Sequence, residues 1–313
     1  MLDHLVPPPP GIAFPQGAEI VVLEAADGVK LRAAFFKPER HRGTVFVLQG
    51  RTEFLEKYGE TFQSLLDRHF AIAAIDWRGQ GGSDRQLRDP RKGHVEDFDD
   101  YLLDLDALMA EAKNRAMPEP YGILAHSTGG AVALLELGRG KHTFSRAVLT
   151  SPLVEIARVR WKTGARFLAR FLTSIGFSGF FIPKGGPDSI FEKPFADNPL
   201  TRDEKRHAIA AHWVKTYPEI GIGDPTIGWV DAAFEALATF ETPGFGSENH
   251  TPLLMLLAGA DTVVSSNAAA ELAARMRGAS AIRLPGARHE ILMETDATLA
   301  AFWPAFDAFM QLG

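Results

Sequence analysis

The stretch YGILAHSTGG, Tyr121 to Gly130, decides how this chain is read. Its first half is a short apolar run of the kind that forms a buried strand, and AVALLELGRG (131–140), which follows at once, reads as a helix. No loop residues separate the two, so the chain must turn sharply at Ser127. Such a turn presses backbone against backbone and needs small residues two before and two after the serine, a demand that Ala125 and Gly129 meet. The hydroxyl of Ser127 then projects over the C-terminal edge of a sheet, and the N–H of Thr128 faces any oxyanion formed there. A small-x-Ser-x-Gly string is a weak signal alone; its place between strand and helix gives it weight.

Outward from this turn, strands alternate with helices. AEIVVLEAADGVKLRAAFFKP (18–38) holds two β-like runs around Asp27-Gly28, a hairpin signal. GTVFVLQG (43–50), FAIAAIDWRG (70–79), SRAVLTSP (145–152), TPLLMLLAGAD (251–261) and SAIRLPGA (280–287) read as further strands. Helical patterns fall between them, as in HVEDFDDYLLDLDALMAEAK (94–113), where Tyr101, Leu102, Leu105 and Leu108 recur at the helical period. The pattern predicts an α/β fold with a mostly parallel sheet of about eight strands covered by helices on both faces. Between about Pro152 and Glu241 the alternation stops and then resumes. This predicts a core of residues 1–151 and 242–313 with an inserted helical lid, residues 152–241, over the strand C-termini.

A serine hydroxyl needs a base to become a nucleophile at neutral pH, and the base needs an orienting acid. On a strand–helix alternation of this type the chain order is serine, acid, histidine. Asp261 ends the strand LLMLLAGAD, and His289 follows the strand AIRLPGA. Taken singly, an aspartate there is more often a turn residue and a loop histidine more often a surface group. Three such residues in order, each just past its own strand, favour a relay. Among rivals, His126 should point away from the Ser127 hydroxyl, His250 precedes its strand, and His207 and His212 fall in the insertion. Asp76 ends FAIAAID and is the alternative acid, but it precedes the serine.

The second oxyanion donor is expected after GTVFVLQG, where Gly50 lets the chain turn and the N–H of Arg51 becomes available. The side chains of Arg51 and Glu53 have an alternative reading as a surface ion pair. GQGGSD (79–84) lacks the third glycine of a dinucleotide fingerprint, and GRGK (138–141) lacks the spacing of a phosphate loop. The aspartates between Asp97 and Asp106 read as a solvated helix face. No histidine pair has zinc spacing, so neither metal nor cofactor is expected.

Composition narrows the class. The chain has 313 residues, 46% hydrophobic, enough for one large domain or a domain with an insertion. A formal charge of -6 argues against nucleic acid as a partner. There is no cysteine, which excludes disulfides and thiolate chemistry. The N-terminus lacks a secretory pattern, and Pro7 to Pro10 suggest a stiff lead-in. No apolar run reaches the roughly 20 residues of a membrane span. A cytoplasmic location is therefore expected.

Taken together, LQGRTEFLEKY (48–58), DWRGQGGSDR (76–85), HVEDFDDYLLDL (94–105), AHSTGG (125–130), LLAGADTVVS (256–265) and PGARHEIL (285–292) resemble the bacterial lysophospholipase and monoacylglycerol-lipase branch of the α/β-hydrolases. NPLTRDEKRH (198–207) and YPEIGIGDPTIGWV (217–230) extend the resemblance into the insertion. It implies Ser127, Asp261 and His289 as catalytic triad, Arg51 and Thr128 as oxyanion donors, and a small ester or lipid as substrate. Two departures stand out: Gln49 replaces a histidine often found before the oxyanion glycine, and Arg51 occupies a position often filled by a small residue.

The scaffold alone does not choose among ester hydrolase, acyltransferase, serine peptidase and non-catalytic lipid-binding module. The segment 157–186 leans toward lipid. It combines Arg158, Arg160, Lys162, Arg166 and Arg170 with Phe167, Phe171, Phe177, Phe180 and Phe181. The phenylalanines are expected to line an apolar pocket. The basic, aromatic helix is also compatible with peripheral contact at the inner membrane, or simply with packing on the core while its arginines are solvated.

Overall fold

The computed structural model describes residues 1–9, 11–140, 143–157, 159 and 161–312. Pro10 of the proline run, Lys141 of GRGK, and Arg158 and Arg160 of the basic segment lie outside the described residues. At Asp27-Gly28 the chain makes the expected hairpin: β1 (Glu19–Glu24) and β2 (Lys30–Phe36) pair antiparallel, with Gly28 at a φ of 85°. Six strands follow: β3 (Thr44–Leu48), β4 (Ala71–Ile75), β5 (Tyr121–His126), β6 (Arg146–Thr150), β7 (Leu253–Ala258) and β8 (Ala279–Leu284). The sheet has eight strands in the order β1-β2-β4-β3-β5-β6-β7-β8, antiparallel at β1-β2 and β2-β4 and parallel elsewhere.

Strand side chains alternate between faces, and both faces are covered. Phe46 and Leu48 of β3 join one apolar cluster with α2 (Asp100–Asn114), α3 (Ser127–Gly138) and α7 (Ser266–Arg275). Val45 and Val47 join the other with α1 (Gly59–Asp67) and α8 (Asp296–Phe309). Between β6 and β7 the chain forms α4 (Lys162–Leu172), α5 (Glu204–Thr216) and α6 (Ile227–Glu241), with no long strand among the described residues. Ala232, Ala233 and Phe240 of α6 enter the first cluster, and α4 packs on α6. Trp213 and Val214 of α5 form a third cluster with Val6, Phe54 and Phe191.

One expectation about charged segments needs correction, and the glycine-rich loop gains a structural role. Asp104 is not on a solvated face: it is fully buried and accepts from the Arg78 Nε at 2.8 Å and the Arg78 N–H at 3.0 Å. Burial raises its pKa to about 6 despite that arginine. The glycines of GQGGSD serve a buried ion pair. Asp76 and Arg32 are fully buried and meet at 2.6 Å, and Arg32 also holds Glu56 at 2.7 Å. The Asp76 carboxylate further accepts from the Leu55 N–H at 2.9 Å and the Gly82 N–H at 2.7 Å. A Cβ at Gly81 would sit 2.2 Å from the Asp76 carboxyl carbon, and one at Gly82 would sit 2.3 Å from Arg32 Nε. The loop wraps the pair, and only glycine fits. Removing one partner of a buried pair strands the other charge, so Asp76→Ala is expected to destabilise the fold by about 3–5 kcal/mol. Urea unfolding would check this; a loss under about 1 kcal/mol would contradict the assignment.

Candidate active site

Ser127 sits where β5 ends and α3 begins, at a φ of 50°. A residue with a Cβ rarely adopts that conformation, at a cost of order 1–3 kcal/mol, and here the surroundings enforce it. A Cβ at Gly129 would lie 2.3 Å from the Leu48 carbonyl, and one at Gly130 would lie 2.8 Å from Pro152. Ala125 is fully buried. The small residues around Ser127 therefore seat the turn against β3 and the end of β6.

The structure brings together the three residues singled out from sequence. His289 Nε2 lies 2.9 Å from Ser127 Oγ, and His289 Nδ1 lies 2.8 Å from Asp261 Oδ2. Asp261 is fixed by its other oxygen, which accepts from the N–H groups of Val263 at 2.8 Å and Val264 at 3.0 Å. Burial pushes its carboxyl up, but the charge and hydrogen bond of His289 and the two amides outweigh burial and hold it below the usual range. The relay opens into a cavity of about 480 Å³, walled largely by apolar side chains.

Arg51 and Thr128 line the same cavity. The Arg51 N–H has no acceptor among the described residues, and Thr128 stands in the first turn of α3, where N–H groups lack intrahelical acceptors. Their loop is braced from behind. Gln49 Nε2 donates to the Ile75 carbonyl at 2.6 Å and to Asp76 at 2.9 Å, and Trp77 Nε1 donates to the Gln49 carbonyl at 2.8 Å. Gln80 Nε2 donates to the carbonyls of Gly50 at 2.8 Å and Glu53 at 3.0 Å. Gln49 thus ties the loop to the end of β4, and Asp76 is a structural hub with no contact to His289.

The surface ion pair considered for Arg51 and Glu53 does not exist. Glu53 is buried and accepts from Lys57 at 2.5 Å, from the Tyr58 hydroxyl at 2.7 Å and from the Gly50 N–H. Arg51 instead reaches the Gly223 carbonyl at 3.0 Å. Lys57 also binds Glu290 at 2.6 Å, so it links the loop that carries Arg51 to the residue after His289. Burial opposes ionisation of Glu53, but Lys57 and His126 override it and lower the pKa to about 2; burial and Glu53 raise that of Glu290. Glu53, His126 and Glu290 are close enough to resemble a metal cluster, but the Lys57 ammonium already bridges both carboxylates.

His126 turns from Ser127 toward the Thr150 carbonyl at 3.0 Å, yet its ring packs 4.8 Å from that of His289. Burial lowers its pKa to about 4, which keeps it neutral beside the relay. The phenylalanines expected to line the pocket do not. Phe167 is 72% exposed and Phe180 57%, with Phe171 and Phe177 also outward, and Phe181 is absent from the wall. Ala165, Leu168, Ala169 and Leu172 of α4 line the cavity instead, a stripe at the helical period.

With this geometry established, comparison with known proteins is specific. The family model described as Hydrolase_4: Serine aminopeptidase, S33 matches residues 39–296. The chain belongs to this hydrolase family. The hydrolase is 32% identical over 287 residues to lysophospholipase L2 of Escherichia coli (strain K12), covering 87% of this chain and 81% of that protein. It is 25% identical over 255 residues to a probable lysophospholipase L2 of Haemophilus influenzae, with 82% and 79% covered. In fold the hydrolase is similar to a soluble variant of monoglyceride lipase from Saccharomyces cerevisiae, with a TM-score of 0.72 at 18% identity and 95% and 97% of the two chains covered.

The depressed Asp261 pKa carries a sign. Its stabilisation is fully present above the ordinary value of 3.8 and is lost as pH falls through the lower folded value. The stability gap between wild type and Asp261→Asn is therefore expected to be widest above pH 4 and to narrow below it, as read from urea midpoints at pH 3 and pH 6. A gap that widens on acidification would contradict the geometry.

Proposed function

We propose that this hydrolase cleaves carboxylic esters of monoacyl lipids through an acyl-enzyme on Ser127. The observation that carries this reading is the Ser127–His289–Asp261 relay, with contacts of 2.9 and 2.8 Å, opening into a largely apolar cavity. Ser127 Oγ attacks the ester carbonyl while His289 Nε2 takes its proton. Asp261 holds the imidazole in the tautomer that leaves Nε2 free to accept, and balances the charge that develops. The amides of Arg51 and Thr128 donate to the oxyanion. His289 then protonates the departing alcohol, and water repeats the sequence to release the fatty acid.

Relatives of this chain include proteins named lysophospholipase and monoglyceride lipase, and the apolar wall suits an acyl chain. The family description suggests a serine aminopeptidase as second reading. An aminopeptidase needs a free carboxylate for the substrate ammonium. Here Glu290 is held by Lys57, and the charged side chain of Arg51 would repel an ammonium. An acyltransferase would share the relay and differ in its acceptor.

Residues 152–241 act as a lid, with α4 and α6 forming walls of the cavity. Trp161, Phe167, Phe171 and Phe180 stand exposed on its outer side near Lys162 and Arg166, which supports peripheral contact with an anionic bilayer. No helix of the described residues is long and apolar enough to cross one.

Ser127→Ala is expected to abolish p-nitrophenyl ester turnover and fluorophosphonate labelling; undiminished turnover would refute the assignment. Asp261→Asn should lower kcat by about 10⁴-fold through the wrong imidazole tautomer. Replacing both Phe167 and Phe171 with serine should weaken co-sedimentation with anionic vesicles. Unchanged binding would remove the membrane contact and leave the chemistry in place.

A further inference from the structure

Arg51 is the one lysine or arginine among the described residues that line the cavity. Its guanidinium makes a single hydrogen bond among the described residues, from Nη2 to the Gly223 carbonyl at 3.0 Å, and lies 5.2 Å from the centre of the Trp229 ring. Its Nε is buried without a partner. Asp224, on the same wall, is engaged by the Gly186 N–H at 3.0 Å and faces Lys193 at 3.7 Å. Burial lowers the Arg51 pKa to about 10, which leaves the group charged at neutral pH. Arg32 and Arg78, both fully buried, are neutralised: Arg32 by Asp76 and Glu56, Arg78 by Asp104 and Asp27. An unpaired charge in an apolar cavity is costly unless a ligand completes it.

We propose that the Arg51 guanidinium binds a phosphodiester on the leaving-alcohol side of the substrate, an inference that rests on the ester-hydrolase reading above. Arginine suits this task because its planar fork matches phosphate oxygens. The spacing fits as well. From the Arg51 amide nitrogen to the guanidinium carbon runs the same number of bonds as from the carboxyl carbon of a 1-acyl-glycerophospholipid to its phosphorus. An ester carbonyl seated on the Arg51 N–H thus has its phosphorus within reach of the same residue's side chain. A monoacylglycerol has no anion to offer and would leave Nε buried and unpaired. A site built around an unfilled polar group discriminates strongly against the ligand that lacks the complement.

The test compares a 1-acyl lysophosphatidylglycerol with the monoacylglycerol of the same chain, both dispersed in the same neutral detergent. In the wild type kcat/KM should favour the phospholipid, and Arg51→Met should lower the ratio of the two values by about 10- to 100-fold, as expected for a lost charge-assisted hydrogen bond. Arg51→Lys should restore part of it. Glycerol 3-phosphate should inhibit p-nitrophenyl ester turnover more strongly than glycerol in the wild type, which keeps the proposal testable should Arg51→Met fail to fold. An unchanged ratio, an equal fall for both substrates, or glycerol 3-phosphate no better than glycerol would overturn it. Ser127→Ala separates the two levels: if Ser127 is essential and the ratio does not move, the Arg51 proposal alone fails.

Discussion

The site depends on one steric constraint: a serine held at positive φ between β5 and α3. That conformation survives because Gly129 lies under the Leu48 carbonyl and Gly130 against Pro152, with no room for a side chain at either. The turn therefore fixes β3, β5 and the end of β6 relative to one another. The N–H of Thr128 and the loop carrying Arg51 follow from the same packing. Local strain at Ser127 is offset by contacts spread over three strands.

A second layer of constraint is electrostatic. Asp76, Arg32 and Glu56 form a buried group whose carboxylates also hold backbone N–H groups of Leu55, just past the Arg51 loop, and of the N-terminal segment; Glu56 accepts from the Val6 N–H at 3.0 Å. Lys57 connects Glu53, under that loop, with Glu290, beside His289. Charges placed this way cost desolvation and fix geometry. The loop that carries Arg51 and the loop that carries His289 are joined by one ammonium.

The strands were legible because a parallel sheet buried on both faces needs continuous apolar runs, and TVFVL, AIAAI and LLMLLA are such runs. The relay was legible because each of its members follows a strand: Ser127 after β5, Asp261 after β7 and His289 after β8. The buried ion pairs were not, since Asp104 and Lys57 look like surface residues until Arg78 and Glu290, distant in sequence, are known as their partners. The face of α4 was misread for a different reason. The helix carries two apolar stripes, one of phenylalanines and one of alanines and leucines, and periodicity does not say which of them meets α6 and the cavity. The bulky stripe stayed in solvent, and the small one allowed space for a ligand.

The order of the strands also bears on how the molecule comes into being. β6 and β7 are neighbours in the sheet although the whole of residues 151–252 lies between them, and two members of the relay belong to the chain beyond that gap. Pairings of such sequence separation form late and slowly. His289 lies 162 residues beyond Ser127, so a growing chain carries the hydroxyl long before it carries the imidazole that meets it.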